Sequence, residues 1–253
     1  MSESATSRSL LIVNADDWGL DSSTTDAISE CFSAERVTST TAMVYMADSD
    51  RAASIALAQS YPVGLHLNLS SPFTATDIPR DVNERHEKVV RYLRGVPLAR
   101  WLYNPYLTRV FDLCIEDQVR RFLDLYGKKP THLDGHHHLH TCPNVLFSRK
   151  LEPGIKLRNT ITYSKGQKSA FSGFVRSVFK RTIAHKYVTT VYLIQLGEWQ
   201  LDDVALTIAT ARSKRAHIEV AVHPFVAQQR KTLLSDAWLS VLSGGALGSF
   251  ADL

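Results

Sequence analysis

Histidine is concentrated in one short stretch of this sequence. The stretch HLDGHHHLHTC, His132 to Cys142, holds five of the ten histidines of the chain. Neutral imidazole is a common metal ligand, and a tag-like run would not contain Asp134 or the interleaved leucines. A metal site is therefore the first hypothesis, and a solvated or structural histidine cluster is the alternative.

The histidine spacing fits both regular conformations. In a helix, His132, His136 and His140 would fall at i, i+4 and i+8, and in a strand they would share one face. Pro130 disfavours a helix entering from the preceding segment, and Gly135 weakens a helix interior. We predict an extended conformation for at least the first half, with Gly135 as a place where the path can bend.

Two adjacent carboxylates form a second feature, in NADDWG from Asn14 to Gly19. Like charges repel strongly in a low dielectric, so a buried pair needs a cation or hydrogen-bond donors beside it. One aspartate can then bind a metal while its neighbour serves as a general base. The alternative is a helix-capping turn, in which Asp and Asn are favoured.

Single histidines occur in two further motifs. His66 lies in GLHLNL, where the leucines occupy the opposite face of a predicted strand, and His223 ends HIEVAVHP just before Pro224. A lone histidine in a strand is more often a satisfied interior residue than a ligand. These two residues become candidates only if the fold brings them to the aspartates and the histidine stretch.

The elements that would position these residues alternate between strand and helix. The predicted strands are Leu10–Val13, Val37–Tyr45, Pro62–Leu69, Val188–Leu196 and His217–Val222, and the predicted helices are Ser22–Glu35, Ser49–Ser60 and Ile115–Tyr126 with Gly127 as C-cap. This order implies a mainly parallel sheet. A (β/α) barrel is favoured over an open doubly wound sheet, so the reactive residues should lie at the C-terminal ends of strands.

Composition places the chain among ordinary globular proteins. It has 253 residues, a net charge of +4 and 44% hydrophobic residues, values that suit one globular domain. We predict this domain at residues 9–253, after a flexible tail at residues 1–8. We find no membrane-length apolar run and no signal peptide, and we expect a cytoplasmic protein. The three cysteines are few, odd in number and widely spaced, so we expect no disulfide scaffold, and Cys142 is interpreted as a buried thiol.

A basic stretch, Ser164–Arg181, carries lysines and arginines with apolar residues at helical spacing. We interpret it as a barrel helix or lid with a solvated basic face. Binding to nucleic acid or to a membrane surface is the alternative, which strongly salt-dependent binding would support.

At these residues the chain resembles a known family. The motifs NADDWG, GLHLNL, THLDGHHHLH and EVAVHPF, in that order, are similar to those of the YdjC-like carbohydrate (chitooligosaccharide) deacetylases, which are related to NodB-type polysaccharide deacetylases. The resemblance runs from about Leu10 to LGSF, Leu247–Phe250. It implies an irregular or incomplete (β/α) barrel and a divalent metal ion.

The resemblance also implies a role for individual residues. Asp17, His66 and His136 would be the metal ligands, Asp16 the general base and His223 the candidate general acid. Two further residues would contact substrate: Arg158, in KLRN, and His138, which is also the next candidate ligand. Trp18 stands where the family usually has Phe, and Phe225 where a small residue is more usual.

The implied reaction is hydrolysis of the acetamide of an N-acetylated sugar or oligosaccharide, assisted by Mg²⁺ or Zn²⁺. The alternatives are a metal-dependent hydrolase of another amide or ester on the same scaffold, and a non-catalytic metal-binding or sugar-binding protein. We expect no nucleic-acid or membrane partner, and a homodimer because symmetric oligomers are common among soluble enzymes.

Overall fold

The computed structural model describes residues 9–160 and 170–253, with side chains from residue 177 onwards in the second range. The expected tail at residues 1–8 and the part of the basic stretch before residue 170 lie outside the described residues. Within the described ranges, no helix combines the length and the apolar character needed to cross a membrane.

The described strands form one parallel sheet. The strands are β1 Leu10–Trp18, β2 Ser39–Ala42, β3 Val63–Leu67, β4 Leu133–Gly135, β5 Tyr192–Gln195, β6 Ile218–Val222 and β7 Ala246–Gly248. Their order is β4-β3-β2-β1-β6-β5, and β7 pairs with the first residues of β1. The sheet curls into a half-barrel surrounded by helices, as expected for an incomplete (β/α) barrel.

Helices follow most strands and cover the outside of the sheet. They are α1 Ser22–Ser33, α2 Ser49–Ala58, α3 Arg80–Gly95, α4 Thr108–Tyr126, α5 Pro143–Leu146, α6 Ala170–Lys186, α7 Leu201–Ser213, α8 Ala227–Leu233 and α9 Asp236–Leu242. α4 ends at Gly127, whose left-handed backbone (φ 63°) makes the predicted C-cap. α1 is capped by Asp21, whose side chain accepts a hydrogen bond from the Thr24 amide.

The two faces of the sheet differ in polarity. On β1, Leu11, Val13 and Ala15 belong to the large apolar core that the helices cover. Asn14 and Asp16 alternate with them and so face the interior of the half-barrel. On β3, the leucines lie in the same apolar core, and His66 is on the interior side as predicted. The interior therefore collects the polar residues of several strands.

Irregular chain crosses the gap between the edge strands β4 and β5. Leu133 of β4 forms an isolated parallel bridge with Leu157, and Lys156 forms another with Val188, four residues before β5. The amide of Arg158 donates to the Leu133 carbonyl at 3.0 Å. This bridging segment holds Arg158 beside the interior of the half-barrel.

Strand β1 is longer than predicted. The prediction ended it at Val13, whereas the strand continues through Trp18 and is buried from Leu11 onwards. The predicted end at Val13 was wrong because Asn and Asp are depleted in strands on average, while here their polar atoms are satisfied inside the barrel.

Candidate active site

Asp16 and Asp17 reach the site through an irregularity in β1. The pairing of β1 with β2 shifts register between Ala15 and Trp18, and Asp17 has a left-handed backbone with φ 72°. In a regular strand, neighbouring side chains point to opposite faces. The bulge breaks this alternation, so both carboxylates lie at the C-terminal end of the strand in one polar site.

Asp17, His66 and His136 form the metal-donor triad. Asp17 Oδ1 lies 3.1 Å from His66 Nε2 and 3.0 Å from His136 Nδ1. One donor atom from each residue lies within 4.8 Å of the other two. His66 and Asp17 are almost fully buried, while the side chain of His136 is 17% exposed. The site is thus enclosed on the strand side and open at His136.

The chemistry of the triad fits a cation. His66 Nδ1 lies 2.7 Å from Asp134 Oδ1 and donates its hydrogen there, which leaves a lone pair on Nε2 facing the Asp17 carboxylate. Two acceptors face each other at that point and need positive charge between them. Without a metal ion, a second proton on His66 Nε2 supplies that charge, because burial lowers the pKa of His66 but Asp134 and Asp17 hold it well above its usual range. A bound metal ion would replace this proton.

Asp134 orients His66 for that task. It is the register partner of His66 in the pairing of β3 with β4, so the two side chains share the interior face. Thr41 donates to Asp134 Oδ2 at 3.0 Å. A carboxylate on the second nitrogen of a ligating histidine fixes the tautomer and the ring orientation.

Arg158 is the centre of a buried charge network that we call the arginine hub, with Asp16, Asp134 and Glu219. Its Nη1 lies 2.6 Å from Asp16 Oδ2 and 2.7 Å from Asp134 Oδ2. Its Nη2 lies 2.7 Å from Asp16 Oδ1 and from Glu219 Oε1. The Arg158 side chain has no exposed surface. The direct substrate contact expected for Arg158 stays a prediction that this burial does not favour.

The hub sets the charge on Asp16. Burial raises the pKa of Asp16, but the adjacent Arg158 guanidinium outweighs it, and the net pKa is lowered. Asp16 Oδ1 accepts from both Asn14 Nδ2 and Arg158 Nη2, whereas Oδ2 accepts from Arg158 Nη1. A carboxylate oxygen has two lone pairs, so Oδ2 retains one for a further proton.

Glu219 differs from the other hub carboxylates. Burial raises its pKa to about 7, although Arg158 opposes the shift. Its Oε2 is buried and has no hydrogen-bond partner among the described residues. Glu219 can therefore carry a proton near neutral pH, while Asp16 stays ionised.

His223 lies at the end of β6, across from Asp16. Its Nε2 is 3.8 Å from Asp16 Oδ2, which is too long for a hydrogen bond, and its side chain is 19% exposed. Its backbone amide donates to Gln229 Oε1 at 2.8 Å. Phe225 packs edge-on to its ring. Nε2 of His223 thus makes no hydrogen bond to Asp16 and belongs to a partly exposed ring that packs against Phe225.

The histidine stretch divides at Gly135, as predicted. Leu133–Gly135 is extended, and a 3-10 segment follows from His136, with left-handed backbone at His137 and His138. His138 Nε2 lies 3.3 Å from Gln195 Oε1, and His138 is absent from the donor groups found among the described residues. Its roles in substrate or metal binding stay predictions.

The remaining histidines of the stretch are structural neighbours of the site. Burial lowers the pKa of His132 and of His140 to about 3, so both rings are neutral. His132 stacks on Phe250 of the LGSF motif, with ring centroids 3.8 Å apart. Cys142 is buried with a free thiol, as predicted.

Sequence reasoning missed Asp134 and Glu219 as members of the site. The sequence nevertheless contains a signal for each of these two residues. Asp134 lies two residues before His136, and Glu219 is a charged residue between apolar neighbours of a buried strand. A buried carboxylate needs a partner, which is Arg158 for both.

The basic stretch has one described anchor to the sheet. Lys180 donates to the Val191 carbonyl at 2.8 Å, just before β5, and its ammonium lies over the Tyr192 ring. This contact is consistent with a helix packed on the barrel.

This chain is similar to known proteins in sequence and in fold. A family model described as YdjC-like protein matches residues 10–240. The chitooligosaccharide deacetylase of Escherichia fergusonii is 35% identical over 158 residues, which are 59% of this chain and 58% of that protein. The chitooligosaccharide deacetylase of Serratia marcescens is 35% identical over 146 residues, which are 54% and 52% of the two chains. The chain thus spans little more than half the length of these curated relatives.

A solved structure supports the fold. A protein of Enterococcus faecalis V583, described as a proposed cellobiose-phosphate cleavage protein, superposes with a TM-score of 0.64 over 96% of this chain and 98% of that chain. The sequence identity is 19%, so this likeness concerns the architecture alone.

Proposed function

The chain belongs to the YdjC-like protein family, and we propose that it is a metal-dependent carbohydrate deacetylase acting on N-acetylated sugars or oligosaccharides. The observation that carries the proposal is the metal-donor triad directly beside the ionised Asp16. The names of the chitooligosaccharide deacetylase relatives supply the substrate class.

Asp17, His66 and His136 would hold one divalent cation. Two imidazoles and a carboxylate leave coordination positions open, as a catalytic ion requires. This donor set suits Zn²⁺ best, and Mg²⁺, which prefers oxygen ligands, is the second candidate. When bound, the ion supplies Lewis-acid polarisation of the acetyl carbonyl and a lowered pKa for water.

Asp16 would act as the general base. Water attacks the acetyl carbon of the acetamide, and Asp16 accepts the water proton on Oδ2, the oxygen that retains a lone pair. Arg158 keeps Asp16 ionised and fixes its orientation through two hydrogen bonds. We therefore assign Arg158 a positioning role, below the substrate and not in contact with it.

His223 would act as the general acid. Its Nε2 is not hydrogen-bonded to Asp16 and lies on the open side of the network. It gives a proton to the sugar nitrogen as the carbon–nitrogen bond breaks, so that acetate and a free amino sugar leave. The Gln229 contact holds the His223 backbone, and Phe225 packs against the ring.

Acetate release from N,N′-diacetylchitobiose tests the proposal. Zinc-loaded parent protein should release acetate, while chelator-treated protein, Asp16→Asn and His136→Ala should each lose turnover by at least about 100-fold. His185→Ala is the matched control, because His185 is exposed on α6 and away from the triad residues in sequence. Asp16→Asn should still bind zinc, whereas His136→Ala should bind it weakly.

Two outcomes would contradict parts of the proposal. Near-normal turnover by the Asp16→Asn variant would show that Asp16 is not the general base. No acetate from folded, zinc-loaded protein would exclude this substrate, and a screen of other amides and esters would then test the alternative hydrolase activities.

A further inference from the structure

The two histidines of the metal-donor triad are oriented in different ways. The ring of His66 is fixed by the hydrogen bond between its Nδ1 and Asp134. Among the described residues, the ring of His136 makes one hydrogen-bond contact, between its Nδ1 and Asp17 Oδ1 at 3.0 Å. A bound cation would lie between those two atoms and replace that contact. In the loaded protein, the ring of His136 must therefore be held by something other than a hydrogen bond.

The ring of His137 packs on the ring of His136. Their centroids are 4.0 Å apart and their planes are inclined by 34°. The terminal torsion of a histidine side chain has a broad range, so the ring direction depends on its neighbours. A flat ring at this distance restricts the rotation of His136 and with it the direction of Nδ1.

Ser70 in turn holds the ring of His137. Its Oγ lies 3.0 Å from His137 Nδ1, and Ser70 is almost fully buried although His137 is exposed. The Ser70 amide donates to Asn68 Oδ1 at 3.2 Å, directly after the strand that carries His66. The Ser70 contact thus ties the 3-10 segment of His136 to the C-terminal end of β3.

The backbone of His137 is also held in an unusual conformation. Its φ of 54° and ψ of 27° lie in the left-handed region, which costs free energy for a residue with a side chain. Arg100 Nη2 donates to the His137 carbonyl at 3.3 Å. Such a conformation persists where surrounding contacts enforce it, and it is common at functional sites. Because Nδ1 is the imidazole nitrogen nearer the main chain, the backbone here directly affects the donor atom of His136.

We infer that Ser70 and His137 are positioning residues for the metal site: Ser70 fixes the His137 ring, and this ring keeps Nδ1 of His136 directed at the ion. We call these residues the Ser70–His137 pair. The inference rests on the metal-dependent function proposed above, and it gives His136 a support that corresponds to Asp134 beside His66.

Zinc affinity and the visible spectrum of the cobalt-substituted protein test the pair. Competition with a chromophoric chelator measures affinity, and the cobalt bands respond to ligand geometry, which a residue that only supports folding would not change. The variants are Ser70→Ala, His137→Asn and the double variant. Asparagine tolerates left-handed backbone, so His137→Asn removes the ring without straining the chain. Ser54→Ala on α2 and His185→Asn on α6, both at exposed positions, are the matched controls.

We expect the two single variants to differ in size of effect. His137→Asn should weaken zinc binding by about 10- to 100-fold, as the loss of other groups that support a metal ligand does, and should change the cobalt spectrum. Ser70→Ala should weaken it by about 3- to 10-fold, the worth of one hydrogen bond. Because Ser70 acts through His137, the double variant should bind zinc no more weakly than His137→Asn alone. The controls should match the parent in affinity and spectrum.

The outcomes separate the pair from the proposed function. Parent-like zinc affinity in His137→Asn, or weaker affinity with an unchanged cobalt spectrum, would overturn the inference and leave the deacetylase intact. Additive losses in the double variant would show that Ser70 does not act through His137. If the variants behave as expected but the zinc-loaded parent releases no acetate, the pair is supported and the deacetylase assignment is overturned.

Discussion

Asp16 and Asp17 are neighbours in the chain, yet their carboxylates bind opposite kinds of partner in one site. Asp16 is held by the Arg158 guanidinium, while Asp17 faces the ring nitrogens of His66 and His136. The bulge and the left-handed backbone of Asp17 make this division, because a regular strand would send the two side chains to opposite faces. The strained residue is thus the one assigned to the metal.

Asp17→Asn should separate metal binding from folding. Asparagine tolerates left-handed backbone and nearly matches aspartate in shape, so the variant should keep the far-UV circular dichroism spectrum of the parent. Loss of an outer-shell partner weakens metal binding about 10- to 100-fold, and loss of a ligand should cost at least as much. Zinc affinity, measured by competition with a chromophoric chelator, checks this. The exposed Asp26→Asn serves as control, and parent-like zinc affinity in Asp17→Asn would remove Asp17 from the ligand set.

Asp134→Asn tests the support of His66. The carboxylate accepts the His66 Nδ1 hydrogen at 2.7 Å and so presents Nε2 to the metal. An asparagine amide can face the ring with its nitrogen and stabilise the wrong tautomer. We expect zinc affinity to fall by about 10- to 100-fold while the triad residues are all present. The same chelator competition measures it, and an unchanged affinity would mean that His66 is oriented without Asp134.

The motifs predicted from sequence include all three triad residues, Asp16 and His223, and the parallel half-barrel agrees with the expected fold. Local sequence patterns were sufficient to predict these residues and this fold, because strand periodicity and strand-end position are properties of short segments. The arginine hub could not be derived in this way. Asp16 and Arg158 are 142 residues apart, and only the irregular chain between β4 and β5 brings them into contact. The bulge at Asp17 was missed because no glycine marks it.

Glu219→Gln should alter how stability depends on pH. The pKa of Glu219 is raised to about 7 by burial, against 4.5 for an unperturbed Glu, with Arg158, Asp134 and Asp16 as its charged neighbours. Between these values the folded state binds more protons at this site than the unfolded chain, so stability falls as pH rises. At roughly 1.4 kcal/mol per pKa unit, the penalty reaches about 3 kcal/mol above pH 7.

The glutamine variant removes that penalty and still offers a carbonyl oxygen to Arg158. Its free energy of unfolding should therefore rise relative to the parent as pH increases from 4.5 to above 7. Urea denaturation at several pH values measures the difference. The exposed Glu152→Gln should track the parent throughout. A difference between Glu219→Gln and parent that is constant with pH would show that Glu219 is ionised in the folded protein across this range.

Gly135→Ala should disturb the site through the backbone. The residue is extended, with φ −164°, so alanine meets no conformational penalty there. An added Cβ, however, would lie 2.8 Å from the backbone nitrogen of His140 and 3.1 Å from its Cβ. The 3-10 segment that begins at His136 must then shift. We expect a loss of about 1–3 kcal/mol in the free energy of unfolding, as for other overpacked interiors, together with weaker zinc binding.

Gly95→Ala is the matched substitution, because an added Cβ at the end of α3 meets no atom within 4 Å. It should change stability by less than about 0.5 kcal/mol or increase it slightly, and zinc affinity should be that of the parent. Urea denaturation and chelator competition on both variants decide the matter. If Gly135→Ala matches Gly95→Ala in stability and in zinc affinity, the close approach of His140 does not set the position of His136. If stability falls but zinc affinity is retained, the contact serves folding alone, and His136 reaches the metal independently of it.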